Sequence, residues 1–341
     1  MRILHTADIH LKKKEHLSIV ESIIHVANKE SVDLIIIAGD LFDAAANGRV
    51  LENALLPIWE QFYGDILIVP GNHDVAYLKD RTELAANVIV ANEEPFSVAQ
   101  IEDIYFVCVP YQSSVLLSDI NIPQFPSSIL ITHGTYNAKN ENTYFPIASK
   151  DVCDIYNYVA LGHYHTWFEK WERGTLVVNP GAPRQMRKSD KGARFVAIID
   201  TETWKMERVI LPVVYNEYSV VNLSVVDSPI EIEEKLLFAT KELANNSYCE
   251  VVLSVQGSVS FSEYSLSELI VRFKKILNKN GVDVTRIHWN LDKITQISPQ
   301  MMYASFTRLL VDKMTDISPH EIDELAPFLF ERLQQENQNI L

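Results

Sequence analysis

Five short stretches of this sequence gather side chains that bind metal ions. They are Asp8 and His10 in DIH, Asp40 and Asp43 in GDLFD, Asn72, His73 and Asp74 in GNHD, His133 in THG, and His163 and His165 in GHYH. A mixture of carboxylate, imidazole and amide oxygen suits manganese, iron or zinc better than calcium, which prefers all-oxygen shells. The set is too large for one ion. Two ions about 3.5 to 4 Å apart, sharing a carboxylate and a water, would use it and would build a site for in-line phosphoryl hydrolysis. Taken singly, each stretch has a plainer reading, because turns after strands favour Gly, Asn and Asp for backbone reasons alone.

The elements that must position these groups are legible around them. Each stretch ends an apolar run that reads as a buried strand: RILHTADIH, DLIIIAGDLFD, DILIVPGNHD, SSILITHG and YNYVALGHYH, with IYFVCVPY as one more. Between the first three lie residues 16–30 and 48–63, whose apolar side chains recur at three and four and so predict amphipathic helices. This alternation is a β-α-β-α-β layout of the α/β class, with strands buried between layers. In open α/β sheets, ligands bind at the carboxyl ends of strands. In an extended strand end, residues two apart point the same way, so Asp8 with His10, and His163 with His165, are expected to converge.

From Leu176 the pattern changes to strands separated by turns, TLVVNPG, ARFVAIID and WKMERVILPVV, expected to complete a second sheet packed on the first. A boundary is expected near Pro212, giving a first domain over residues 1–211. Residues 212–296 then read as a compact β-α-β-α-β unit without a catalytic cluster. Residues 297–341 read as two amphipathic helices, the second starting with Ser318 as N-cap and Pro319 at its first helical position.

With 341 residues and 47% hydrophobic side chains, the chain can bury at least one sizeable core. Its three cysteines, Cys108, Cys153 and Cys249, match no zinc spacing and fit a reduced cytoplasmic protein. The N-terminus lacks a signal-peptide core, and no stretch reaches the ~18 apolar residues of a membrane span, so a soluble intracellular protein is expected. The net charge of −15 argues against a simple electrostatic nucleic-acid binder, and neither half of the chain is a basic arm. Bound divalent cations would cancel part of that charge where a phosphate must approach.

The ordered series D-x-H, G-D-x-x-D, G-N-H-D, H and G-H-x-H resembles the calcineurin-like metallophosphoesterase superfamily over roughly residues 1–200. Within it, ILHTADIHL followed by GDLFD, GNHD and GHYH most resembles the SbcD-type DNA double-strand-break repair nucleases. The smaller α/β domain after the catalytic one resembles that family's capping domain. The implied fold is a β-sandwich flanked by helices, with a capping domain and C-terminal helices.

Carried over residue by residue, the resemblance implies one metal, manganese in this family, held by Asp8, His10, Asp40 and His165. A second would be held by Asp40, Asn72, His133 and His163, with Asp40 bridging and a hydroxide between the ions attacking phosphorus. His73 matches the catalytic histidine that stabilises the transition state or protonates the leaving oxygen, and Asp74 would orient it. Asp43 would support a ligand rather than bind metal itself. The implied substrate is DNA, the implied partner a coiled-coil ATPase of the SbcC type, and the family often forms homodimers.

Beyond these positions, His5 reads as a core histidine or a support to a ligand. The run Lys12 to Lys14 could meet a phosphate backbone or be a solvated loop, and Arg184, Arg187 and Lys188 could line the cleft or be exposed charge. Two loops depart from the family pattern, GDLFD continuing as AAANGRV and GNHD being followed by Val75 and Ala76, and the C-terminal tail is short for an ATPase-binding segment. Alternatives to a DNA nuclease are a metallophosphoesterase acting on a nucleotide or phosphoprotein, and an ATPase-docking subunit without catalysis.

Overall fold

The structure is a computed structural model that describes residues 1–137, 144–224, 227, 229–260, 266–297, 299–314 and 317–338. The chain divides into two compact units, Met1–Tyr215 and Asn216–Leu341.

In the first unit, three β-rich runs form adjacent parallel strands, β1 (Arg2–Thr6), β2 (Leu34–Ala38) and β3 (Asp65–Val69). Every residue of β2 is buried, as expected for a strand covered on both faces. Its side chains alternate between two cores. Leu34, Ile36 and Ala38 face a cluster shared with Phe106, Ile129, Ile131 and Val178, whereas Ile35 and Ile37 face one shared with the helices. Those helices are α1 (Leu17–Lys29) and α2 (Ala45–Trp59), the first burying Ile19, Val20, Ile23, Ile24 and Ala27 at helical spacing. Each fully buried Leu or Ile contributes about 1.5–3 kcal/mol. The expected α2 began at residue 48; it starts three residues earlier, at Ala45.

Two sheets make the sandwich. The first has seven strands with β1, β2 and β3 consecutive in it. The second has six, with Ile104–Val109, Ser128–His133, Tyr158–Gly162 and Thr175–Asn179 paired in parallel. This is the predicted α/β sandwich, with one difference. Of the three late strands expected in the second sheet, only Thr175–Asn179 joins it; Phe195–Asp200 pairs antiparallel with β1 and Lys205–Ile210 follows it. Ala197 and Ile199 face the inter-sheet core while Val196 and Ile198 face the helical one, an alternation that either sheet can bury and that the pairing with β1 assigns to the first.

The second unit holds a three-stranded sheet in which Cys249–Ser260 and Ile287–Ile297 pair in parallel, with Val251 opposite Ile287. Helices Pro229–Thr240 and Leu266–Lys279 accompany it. The last two helices, Pro299–Lys313 and Pro319–Gln338, meet through Phe306 and Phe330, whose ring centres lie 5.4 Å apart. Ser318 caps the second of them: its backbone N–H and hydroxyl reach the Glu321 carboxylate, and the Glu321 N–H returns to its Oγ.

Candidate metal centre

All seven expected ligands lie at the carboxyl ends of five parallel strands, and the two sheets bring them together. Asp8 and His10 follow β1, Asp40 follows β2, Asn72 follows β3, and His133, His163 and His165 sit at or just beyond two strands of the other sheet. The backbone that presents them is not extended. Asp8, His10, Asp40 and His163 have positive φ, at 54°, 49°, 53° and 99°. Such conformations cost free energy in non-glycine residues and cluster at functional sites. Alternation along a strand therefore does not explain the convergence of Asp8 with His10. Instead, the loops after β1 and β2 run side by side, Asp8 N–H donating to Gly39 O at 3.1 Å and His10 N–H to Asp40 O at 2.9 Å. His163 and His165 do not converge on one group either: the His163 ring lies 5.4 Å from His133, and the His165 ring 5.1 Å from His10.

Asp40 occupies the middle. Its Oδ2 is 3.6 Å from His10 Nε2 and 3.3 Å from His133 Nε2, while Oδ1 accepts the His73 backbone N–H at 2.9 Å. On one side, Asp8 Oδ1 is 3.8 Å from His10 Nε2 and 3.9 Å from His165 Nε2. On the other, His133 Nε2 lies 3.1 Å from Asn72 Oδ1. His133 Nδ1 is held by the Ala38 carbonyl at 3.0 Å, which fixes its proton there and aims Nε2 at the site. Such close approach requires glycine at two places. A Cβ on Gly39 would lie 2.2 Å from His133 Nδ1, and one on Gly71 would lie 2.2 Å from Asp40 Oδ1.

The electrostatics and the unsatisfied atoms of this cluster fit divalent cations. Asp8 Oδ1 and both ring nitrogens of His10 are buried without a hydrogen-bond partner among the described residues. Asp8, His10 and His165 offer ligand atoms within 4.8 Å of one another, as do Asp8, Asp40 and His133. Burial pushes the Asp8 carboxyl up to about 7 and pulls His10 and His163 down to about 4. The two imidazoles are thus neutral, with lone pairs available. Burial opposes ionisation of both His133 and Asp40, but their mutual attraction prevails, raising the histidine to about 9 and holding the carboxyl below its usual range. Buried carboxylates set beside the neutral imidazoles of His10 and His163 form a pocket that a cation would stabilise.

The other expected site residues take up distinct places. His73 is exposed, and its Nδ1 is held by the backbone carbonyl of Asp43 at 2.8 Å. Asp74 does not orient it. The Asp74 carboxylate is fully buried and accepts the N–H groups of Phe42 at 3.1 Å and Gly71 at 2.9 Å, because the turn after β3 points it inward, under the two loops. The Asp43 carboxylate stands 3.4 Å from His10 Nδ1 and 3.1 Å from Lys12 Nζ, beside an expected ligand rather than among the ligand atoms. Lys13 and Lys14 are exposed. His5 is a core residue, bonded to Tyr158 Oη at 2.8 Å and Leu161 O at 3.1 Å, and burial drops it to about 3. Arg184 is half-buried against the loop that carries His10, whereas Arg187 is exposed. The sequence reading missed an aromatic wall: Tyr144, 53% exposed, lies 5.0 Å from the His163 ring and 6.4 Å from Tyr111. No local pattern marks it, since Tyr111, Tyr144 and His163 come from three separate loops of the chain.

The chain is similar to known proteins. Residues 1–204 match the calcineurin-like phosphoesterase superfamily domain. The DNA double-strand break repair protein Mre11 of Saccharolobus solfataricus is 29% identical over 215 residues, 56% of each chain. The SbcD subunit of the Escherichia coli nuclease SbcCD is 34% identical over 98 residues, 25% of this chain and 24% of its own. The chain thus spans about half the length of the first relative and about a quarter of the second. An archaeal phosphodiesterase structure is 22% identical, covering 62% of this chain and all of its own, with a TM-score of 0.38. Over the part of the chain that carries all five ligand stretches, this protein belongs to the calcineurin-like phosphoesterase superfamily.

Proposed function

We propose that the chain is a two-metal phosphodiesterase whose substrate is DNA. The observation that carries the reading is the position of Asp40, one carboxylate oxygen of which lies within 3.6 Å of a histidine on each side. Asp8, His10, Asp40 and His165 would hold one ion, and Asp40, Asn72, His133 and His163 the other. Two divalent ions, manganese in this reading, supply Lewis acidity toward a phosphoryl oxygen and a more acidic water.

The chain's own groups do the rest. His73 reaches the mouth of the site with Nδ1 tied to the Asp43 carbonyl, so that its Nε2 delivers a proton to the leaving oxygen. Its backbone N–H steadies Asp40 in the same turn. Arg187, exposed on the loop after the last ligands, supplies positive charge for a substrate phosphate. DNA is favoured as substrate by the wording of the motifs and by likeness to a DNA double-strand break repair protein and a nuclease subunit. A coiled-coil ATPase partner, a homodimer and a cytoplasmic location belong to the same reading. Among the described residues, no helix is long and apolar enough to cross a membrane.

The experiment is to incubate the full chain with manganese and either end-labelled linear DNA or a chromogenic phosphodiester, alongside His73→Ala and Asp40→Ala. DNA cleavage lost in both variants supports the proposal. Turnover of the small diester with DNA left intact sinks the nuclease reading for the isolated chain and favours a nucleotide or phosphoprotein substrate. No turnover of either, with manganese bound, favours an ATPase-docking role without catalysis.

A further inference from the structure

Arg184 and Arg187 come from one loop, yet they have different surroundings. The Arg184 guanidinium donates from Nε to the Ile9 carbonyl at 3.2 Å and from a terminal nitrogen to the His10 carbonyl at 3.0 Å. Ile9 and His10 are buried, and the residues on either side of Ile9, Asp8 and His10, have the unfavourable positive φ described above. The N–H groups of Asp8 and His10 are taken by Gly39 and Asp40. Arg184 takes the carbonyls of Ile9 and His10. The loop carrying two ligands is thus held by the loop after β2 through its donors and by one side chain through its acceptors.

We infer that Arg184 is a positioning residue, which sets the conformation of the Asp8–His10 loop and through it the affinity of those side chains for a divalent ion. A permanent positive charge beside a cation site works against binding by repulsion, so its benefit comes through shape. A planar fork spans two successive carbonyls, which a lysine ammonium on a flexible stem does not reproduce. Arg187 differs: its backbone N–H is pinned by Asp190 at 2.8 Å, and its side chain is exposed. The sequence left both arginines as cleft lining or exposed charge; the first is bonded to the loop of Ile9 and His10, and the second is exposed. The inference rests on the metal centre described above.

The test uses calorimetric titration of the metal-free full chain with manganese, together with its melting temperature and steady-state kinetics on a chromogenic phosphodiester. Arg184→Met and Arg184→Lys are expected to weaken one of two manganese sites about 10- to 100-fold, as loss of a ligand's supporting contact does. Arg187→Met is expected to leave manganese affinity unchanged and raise KM. Rescue of manganese affinity by Arg184→Lys would overturn the inference, because charge alone would then suffice. So would a raised KM, or a lowered melting temperature, with manganese affinity intact in both Arg184 variants. A wild-type chain that binds no manganese would overturn the metal centre itself, whereas normal wild-type binding with unaffected Arg184 variants would overturn only this inference.

Discussion

The backbone N–H of His73 donates to Oδ1 of Asp40 at 2.9 Å, so the proposed proton donor and the central carboxylate are fixed to each other by a main-chain bond. That bond survives any change to the His73 side chain. His73→Ala is therefore expected to keep both manganese sites while lowering turnover about 10²- to 10⁴-fold, the usual contribution of a general acid. Asp40→Ala is expected to lose both turnover and one manganese equivalent. Calorimetry and diester hydrolysis on the same preparations separate the two outcomes.

Asp74→Ala should act on the fold before it acts on chemistry. Removing that carboxylate orphans the buried N–H groups of Phe42 and Gly71. Each unsatisfied donor costs about 1–3 kcal/mol. Urea unfolding should show a loss of that order, with Asp74→Asn losing less because its amide oxygen still accepts. Unchanged stability in Asp74→Ala would mean that water replaces the carboxylate.

Gly39→Ala tests the packing beneath His133. The added methyl would fall 2.2 Å from His133 Nδ1, and the residue's φ of 86° is itself costly for alanine. The expected result is a weakened manganese site and a lowered melting temperature, together. A variant with only the second defect would show that His133 moves as a whole without losing its aim.

Acidity should control loading of the site. Asp8 titrates near 7 and His133 near 9, and both must lose a proton to bind a cation. Manganese affinity is expected to rise between pH 6 and 8, by up to about tenfold per pH unit for each proton displaced. Stability of the chelator-stripped protein should run the other way. The His133 contribution, whose folded value lies above its unfolded one, is fully present below about 6.5 and lost as pH rises through 9. Melting curves with and without manganese across that range check both signs.

Much of the site was legible in the residues because its information is local. Asp8, Asp40, Asn72, His133 and His163 each stand where an apolar run stops, and a strand's carboxyl end is a place that sequence can mark. Their joint use followed from the number and chemistry of the ligands. The strand assignment of Phe195–Asp200 was not legible, because its alternation fits either sheet and only the partner decides. The role of Asp74 was misread for a similar reason. The resemblance implied that it orients His73, but in a tight turn consecutive side chains diverge, and this one points into the interior.

By itself the sequence determined which groups are present, that they end the apolar runs of an α/β layout, and that their mixture of carboxylate, imidazole and amide oxygen suits divalent cations. Side-chain type and hydrophobic period are enough for that, whereas the sandwich and the assignment of each residue's role came with the resemblance to a known family. Only the tertiary structure decided that the ligand loops are left-handed rather than extended, that Asp43 offers His73 a carbonyl and His10 a carboxylate, and that Arg184 grips the loop of Asp8 and His10. These are contacts across tens to more than a hundred residues of chain. They depend on how the loops at the strand ends pack against one another, which no local pattern encodes.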